Sequence, residues 1–146
     1  MAEANLELGT GGNARSLLAD GIDLALGKVQ GFVPGSISTG GLEMTNADID
    51  AYRNRILNQY DSANNAGKLA IIIEQYYLAA YGNGIEPYLN YKRTGFPVLQ
   101  SPITAAGAFP RSFRYPGDEL ETNPNIVQNL ATDRVFWDTN PNGFID

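Results

Sequence analysis

The chain has 146 residues, 10 basic against 16 acidic side chains, a net charge of −6, and neither histidine nor cysteine. That acidity argues against sequence-independent nucleic-acid binding, which needs a basic footprint to displace phosphate counterions. The missing residue types exclude disulfides, thiolate or imidazole metal sites, cysteine nucleophiles and Ser-His-Asp triads within the chain.

Ala2 to Leu8 is predicted helical, and Met1 opens on it without an N-cap residue, a signal sequence or a lipobox cysteine. The chain is therefore expected to be a fragment of a longer frame. Gly9-Thr10-Gly11-Gly12 breaks this helix. From Asn13 to Gln30 helical spacing resumes, with Ala14, Leu17, Leu18, Gly21, Ile22 and Ala25 on one face. The pair is similar to a tetratricopeptide helix pair, present once where stable stacks need about three. Neither Gly9 to Gly12 nor Thr39-Gly40-Gly41 has the lysine or the strand context of a phosphate cradle, so both are read as breaks between helices.

Phe32 to Leu42 is a connection rich in Gly, Pro and Ser. Thr45-Asn46-Ala47-Asp48 then supplies a capping box for an amphipathic helix carrying Ile49, Tyr52, Ile56, Leu57 and Tyr60. Asn64-Asn65-Ala66-Gly67 makes a turn, and Leu69, Ile72, Ile73, Tyr76, Tyr77 and Ala80 form the apolar face of the next helix. These two helices are expected to pair antiparallel. Asn83-Gly84 stops the second, and Pro87 suits an early position of a short third. From Phe96 to Asn129 loops are expected, with one more helix from Ile126 to Asp133.

Two clusters concentrate four of the ten basic residues. They are Lys92-Arg93-Thr94-Gly95-Phe96-Pro97 and Pro110-Arg111-Ser112-Phe113-Arg114-Tyr115-Pro116-Gly117-Asp118-Glu119, the latter followed by Asn123 and Asn125. Each sets Arg beside an aromatic and a proline, so guanidinium groups can stack on rings, pair with carboxylates and hold an irregular loop. Asp118, Glu119 and Glu121 are the expected counter-charges. A pair such as Asp118 and Glu121 could serve glycoside hydrolysis, but counter-charge is the simpler reading. Asp138 to Asp146 matches the first half of a calcium loop and lacks the twelfth-position Glu, so a terminal turn is favoured and no metal site is assigned. Aromatic rings with polar neighbours suit sugar faces; Tyr81 with Asn83 and Trp137 with Asn140 are the candidate platforms.

In order, Glu74 to Ala79, Glu86 to Tyr88, Arg93 to Pro97, Pro110 to Asn123 and Val135-Phe136-Trp137-Asp138 resemble the C-terminal part of the SusD/RagB-like nutrient-binding outer-membrane lipoproteins. Lys92 replaces the first Arg of that pattern, Tyr77 and Tyr88 stand where Trp is usual, and Pro87 where Ala is usual. The resemblance implies an all-α, SusD-like fold with tetratricopeptide-like helix pairs and a long irregular Pro-rich C-terminal region, residues 1–146 forming a single domain. It also implies non-catalytic, cofactor-free capture of glycans or other nutrients at the cell surface for a TonB-dependent (SusC-like) outer-membrane transporter. Within it Arg93, Gly95, Pro97, Arg111, Tyr115, Pro116, Glu119 and Asn123 are motif positions of architectural character, the neighbourhood of Arg93, Arg111, Arg114 and Glu119 holding the long loop rigid. The sugar-contacting residues are left open. The competing readings are a stand-alone helical protein-interaction module and, more remotely, a carboxylate-dependent glycan hydrolase.

Overall fold

The computed structural model describes residues 1–32, 40–98, 109–141 and 144. Most of the predicted connection from Phe32 to Leu42 lies outside them. Among the described residues every regular element is helical: α1 (Ala2–Leu8), α2 (Ala14–Phe32), α3 (Asn46–Ser62), α4 (Asn65–Ala79), α5 (Ile85–Thr94) and α6 (Gly117–Thr122). The fold is all-α, as expected. The chain gathers into two compact units, Met1–Pro87 and Tyr88–Asp146.

Local chemistry sets the helix ends of the first unit. Gly9 closes α1 in the left-handed conformation, φ 62°, with its N–H donating to the Asn5 carbonyl, a geometry for which glycine carries no Cβ penalty. The Asn5 side chain donates to the carbonyls of Thr10 and Gly12, so one amide holds the whole Gly-rich turn. Asn13 then opens α2, its Oδ1 accepting from Ser16 N at 3.2 Å. At α3 the predicted capping box is formed: Thr45 Oγ1 accepts from Asp48 N at 3.2 Å, and Asp48 Oδ2 accepts from Thr45 N at 2.9 Å. Thr45 Oγ1 also donates to Asp48 Oδ2 at 2.6 Å, and that bond first, with the one from Thr45 N second, holds the Asp48 carboxyl below its ordinary pKa. Replacing Thr45 with alanine leaves the Asp48 N–H without its acceptor at the helix start and is expected to lower stability by about 1 kcal/mol in urea unfolding followed by circular dichroism. An unchanged midpoint would contradict that reading.

Helices α1 to α4 pack on one another around Ala2, Ala14, Leu18, Ile22, Ile56, Leu57, Tyr60 and Ile72. These positions recur at three- and four-residue spacing along α2 and α3, which puts them on one side of each helix. Tyr52, near the start of α3, donates through its hydroxyl to Gln75 near the end of α4. Lys68, near the start of α4, lies over the ring of Tyr60 near the end of α3, 5.3 Å from its centroid. The two helices therefore run antiparallel. Arg15 joins α2 to α3 through Asp61 at 2.8 Å, and Arg53 reaches Asp23 at 2.7 Å and Asp50 at 2.6 Å. The Arg15 pair is half exposed and contributes little beside the apolar core. Further along α4 the predicted apolar face emerges from the core, with Tyr76 and Tyr77 exposed.

Candidate functional site

Helix α5 begins on Asn83, whose Oδ1 accepts from Ile85 N and Glu86 N at 3.1 and 3.4 Å. Pro87 falls in its first turn, where a missing N–H costs nothing. Gly95 ends it at φ 72°, its N–H donating to Tyr91 O at 2.8 Å. A Cβ at Gly95 would also stand 3.4 Å from the ring and carbonyl of Phe144, so this motif position answers both to backbone conformation and to space. Thr94 Oγ1 donates to Asn90 O and accepts from Phe96 N, which fixes the exit from the helix before the cis peptide bond Phe96-Pro97. Arg93 donates to Asn90 Oδ1 at 3.0 Å.

Beyond the helix, the second unit is organised by a buried cation. Arg111 is 4% exposed. Its Nε donates to Asp138 Oδ2 at 2.8 Å and its Nη2 stands 2.7 Å from the same oxygen as an ion pair, while Nη1 donates to Pro141 O at 2.9 Å and Nη2 to Asn140 O at 3.1 Å. Asp138 Oδ1 accepts from Asn140 N at 3.1 Å. Taking a guanidinium and a carboxylate out of water costs several kcal/mol each, so the pair is tolerable only with this degree of hydrogen bonding. Around it the backbone is stitched: Lys92 Nζ donates to Arg111 O at 3.0 Å, Asn140 Nδ2 donates to Lys92 O at 2.8 Å, and the N–H groups of Arg111 and Ser112 share Ala131 O. Phe109 packs against the ring of Tyr88 and, edge-on, against Tyr91.

The sequence points to Asp118, Glu119 and Glu121 as counter-charges. The carboxylate that meets Arg111 is instead that of Asp138, with 5% of its side chain exposed. Glu119 accepts from Asn123 Nδ2 at 3.0 Å across one turn, and Asn123 Oδ1 accepts from Asn125 N, so these two motif residues tie off α6. Pro116 occupies the N-cap of α6. Tyr115 is held by its backbone, its N–H and carbonyl both bonded to the Gln128 amide. The helix predicted from Ile126 to Asp133 is not formed. Its polar groups go elsewhere: Gln128 to Tyr115, Ala131 O to Arg111 and Ser112, and Leu130 N to Asp133 Oδ2. Long-range and turn bonds have displaced the intrahelical ladder.

Burial alone would raise the Asp138 pKa, but the hydrogen bonds from Arg111 and Asn140 N, with the charges of Arg111 and Lys92, bring it below the ordinary carboxylate value. A carboxyl with a lowered folded-state pKa contributes stability above its unfolded pKa, near 4, and loses it as pH falls through the folded value. Acid titration is therefore expected to leave the second unit intact down to about pH 4 and to loosen it below. Asp138→Asn should flatten that limb. A limb unchanged by this substitution would assign the acid sensitivity to another carboxyl.

The four ligand candidates fall into different settings. Tyr81 is 98% exposed. Asn83 has its side-chain oxygen committed to the start of α5. Asn140 bonds Lys92 O through its side chain and receives Arg111 and Arg134 at its carbonyl. Trp137, 66% exposed, meets the 94% exposed Phe136 edge to face, with ring centroids 4.5 Å apart. Sequence reasoning missed Asp138 as the partner of Arg111; its place beside an aromatic pair was the available signal. The Asn-rich turn running to Asp146 lies partly outside the described residues. Within the described part its first carboxylate is spent on Arg111.

A family model described as "SusD-like_2: Starch-binding associating with outer membrane" matches residues 6–116. No curated protein and no solved structure matches the chain. The family match ends at Pro116, ahead of Phe136, Trp137 and Asp138.

Proposed function

Because the chain belongs to the SusD-like family, described as starch-binding and associating with the outer membrane, we propose that it captures glycans without cleaving them and passes them to a TonB-dependent, SusC-like transporter. The family match over residues 6–116 carries this reading. The second unit is in keeping with it. Arg111 and Asp138 neutralise each other below the surface, while the rings of Phe136 and Trp137 stand outside it. Exposed rings with polar neighbours can pack on the C–H faces of sugars. Capture would take place at the outer membrane; among the described residues no helix is long and apolar enough to cross a bilayer.

The test is calorimetry of the 146-residue chain against soluble starch and a panel of plant and host glycans, with reducing ends assayed in the same samples. Binding with unchanged reducing ends is expected. Failure to bind any glycan of the panel would overturn the proposal, and release of reducing sugar would replace capture with hydrolysis.

A further inference from the structure

Asn83 is followed by Gly84, and both are exposed on the turn between α4 and α5. An asparagine side chain and the next backbone nitrogen can close a five-membered ring when that nitrogen attacks the amide carbon. A side chain on the second residue obstructs the approach, and glycine has none. Around Gly84 an added Cβ would meet nothing within 4 Å, so the reacting atoms have open space. Neither the Gly84 N–H nor Asn83 Nδ2 has a hydrogen-bond partner among the described residues, which leaves both the attacking nitrogen and the leaving group unencumbered. The Asn83 side-chain oxygen is placed otherwise. It accepts from Ile85 N at 3.1 Å and Glu86 N at 3.4 Å, at the positive end of α5. Negative charge develops on this oxygen as the amide carbon becomes tetrahedral, and two N–H donors already face it.

We infer that Asn83 is a self-modification site, deamidated by intramolecular attack of Gly84 N, and that the reaction turns a neutral helix start into an anionic one. Hydroxide takes the Gly84 N–H proton, the N–Cγ bond forms, the Cγ–Nδ2 bond breaks, and ammonia leaves with a proton from water that regenerates the hydroxide. Water then adds to one carbonyl of the succinimide and reopens the ring. Opening at Cγ gives aspartate on an ordinary backbone; opening at the main-chain carbonyl gives an isoaspartyl link with an extra methylene in the backbone. The net exchange is amide and water for acid and ammonia, with nothing oxidised or reduced. The two products act differently on α5. Aspartate keeps an oxygen in the cap and adds a charge favoured at a helix start, on a helix that already carries Glu86 in its first turn and Lys92 and Arg93 in its last. The isoaspartyl link shifts the carboxylate off the cap and leaves the Ile85 and Glu86 N–H groups without their acceptor. This chemistry is independent of glycan capture.

The chain contains its own control. Asn64 is exposed and caps α4 in the same way, its Oδ1 accepting from Gly67 N at 2.8 Å, but the residue after it is Asn65. The experiment incubates the 146-residue chain at neutral and mildly alkaline pH and maps it by peptide mass spectrometry, with isoaspartate read by a methyltransferase specific for that link. Mapping by peptide also separates Asn83 from the second Asn-Gly step, Asn142-Gly143, which lies outside the described residues. Conversion at Asn83 should run at least about tenfold faster than at Asn64, rise with pH because the attacking nitrogen must lose its proton, and yield isoaspartate. Gly84→Ala should slow it about tenfold or more without moving the urea midpoint, since the methyl enters open space. Asn83→Asp, the standard for one product, should unfold at no lower urea than the unsubstituted chain, and material enriched in isoaspartate should unfold earlier. An Asn83 that outlasts Asn64 would overturn the site. A Gly84→Ala variant that converts at the original rate, or a product free of isoaspartate, would overturn the attack by Gly84 N.

Discussion

Arg111→Ala is expected to destabilise residues 88–141 by about 3 kcal/mol or more. The substitution removes a cation that is 4% exposed and leaves the Asp138 carboxylate and the carbonyls of Asn140 and Pro141 without their donors. Leaving such groups buried and unpaired costs more than the pair itself contributes. Hydrogen exchange offers the sharpest measurement, because the amides of Arg111, Ser112 and Asn140 are bonded in or beside the clasp. Their protection should fall by more than a hundredfold, about 2.7 kcal/mol. Arg111→Lys keeps the charge but cannot fork to a carboxylate and two carbonyls at once, so it should recover only part of the loss. Unchanged protection with lost glycan binding would move Arg111 from architecture to ligand contact.

In the first unit the largest effect is expected at Ile73. At 1% exposure it is the most completely buried large side chain among the described residues. Ile73→Ala leaves a cavity that α4 can close only in part, and the expected loss is about 3 to 4 kcal/mol, against about 1 kcal/mol for Ile73→Val. Leu78→Ala, on the same helix but 54% exposed, should stay within about 0.5 kcal/mol. Urea midpoints for the three variants make the comparison. Equal midpoints for Ile73→Ala and Leu78→Ala would show that α4 is not held by its buried face.

The features legible in the sequence were those whose cause is local. Thr45 and Asp48 are three residues apart, and their capping box needs only that spacing. Helices α2 to α4 announce themselves through apolar positions that recur every three or four residues, and the core uses Leu18, Ile22, Ile56, Leu57 and Ile72 accordingly. Ile126, Val127 and Leu130 mimic that spacing within too short a stretch, and the side chain of Gln128 and the carbonyl of Ala131 found partners outside it. Asn83 was weighed as a sugar contact, yet the same amide oxygen that suits a hydroxyl suits a helix start, and the nearer N–H groups took it. Arg111 was singled out as a residue built into its loop, and in the structure it is 4% exposed and bonded to Asp138, Asn140 and Pro141. Its partner was hidden because Asp138 lies 27 positions away, and no periodicity connects an irregular segment to a distant carboxylate.

That separation governs the order in which the molecule can form. The first unit can close once α4 has emerged, since its most distant contacts join α1 to α4 and Arg15 to Asp61, 46 positions on. The clasp behaves otherwise: Lys92 waits 48 positions for Asn140, and Arg111 waits 27 for Asp138. Until residue 141 has emerged, the Arg111 guanidinium lacks its full set of partners, and the bonds that tie it and Lys92 to residues 138–141 cannot all form. A stop codon placed a few residues before Asp138 would therefore do more than shorten the protein. It would deprive the second unit of the carboxylate and the two carbonyls that hold Arg111.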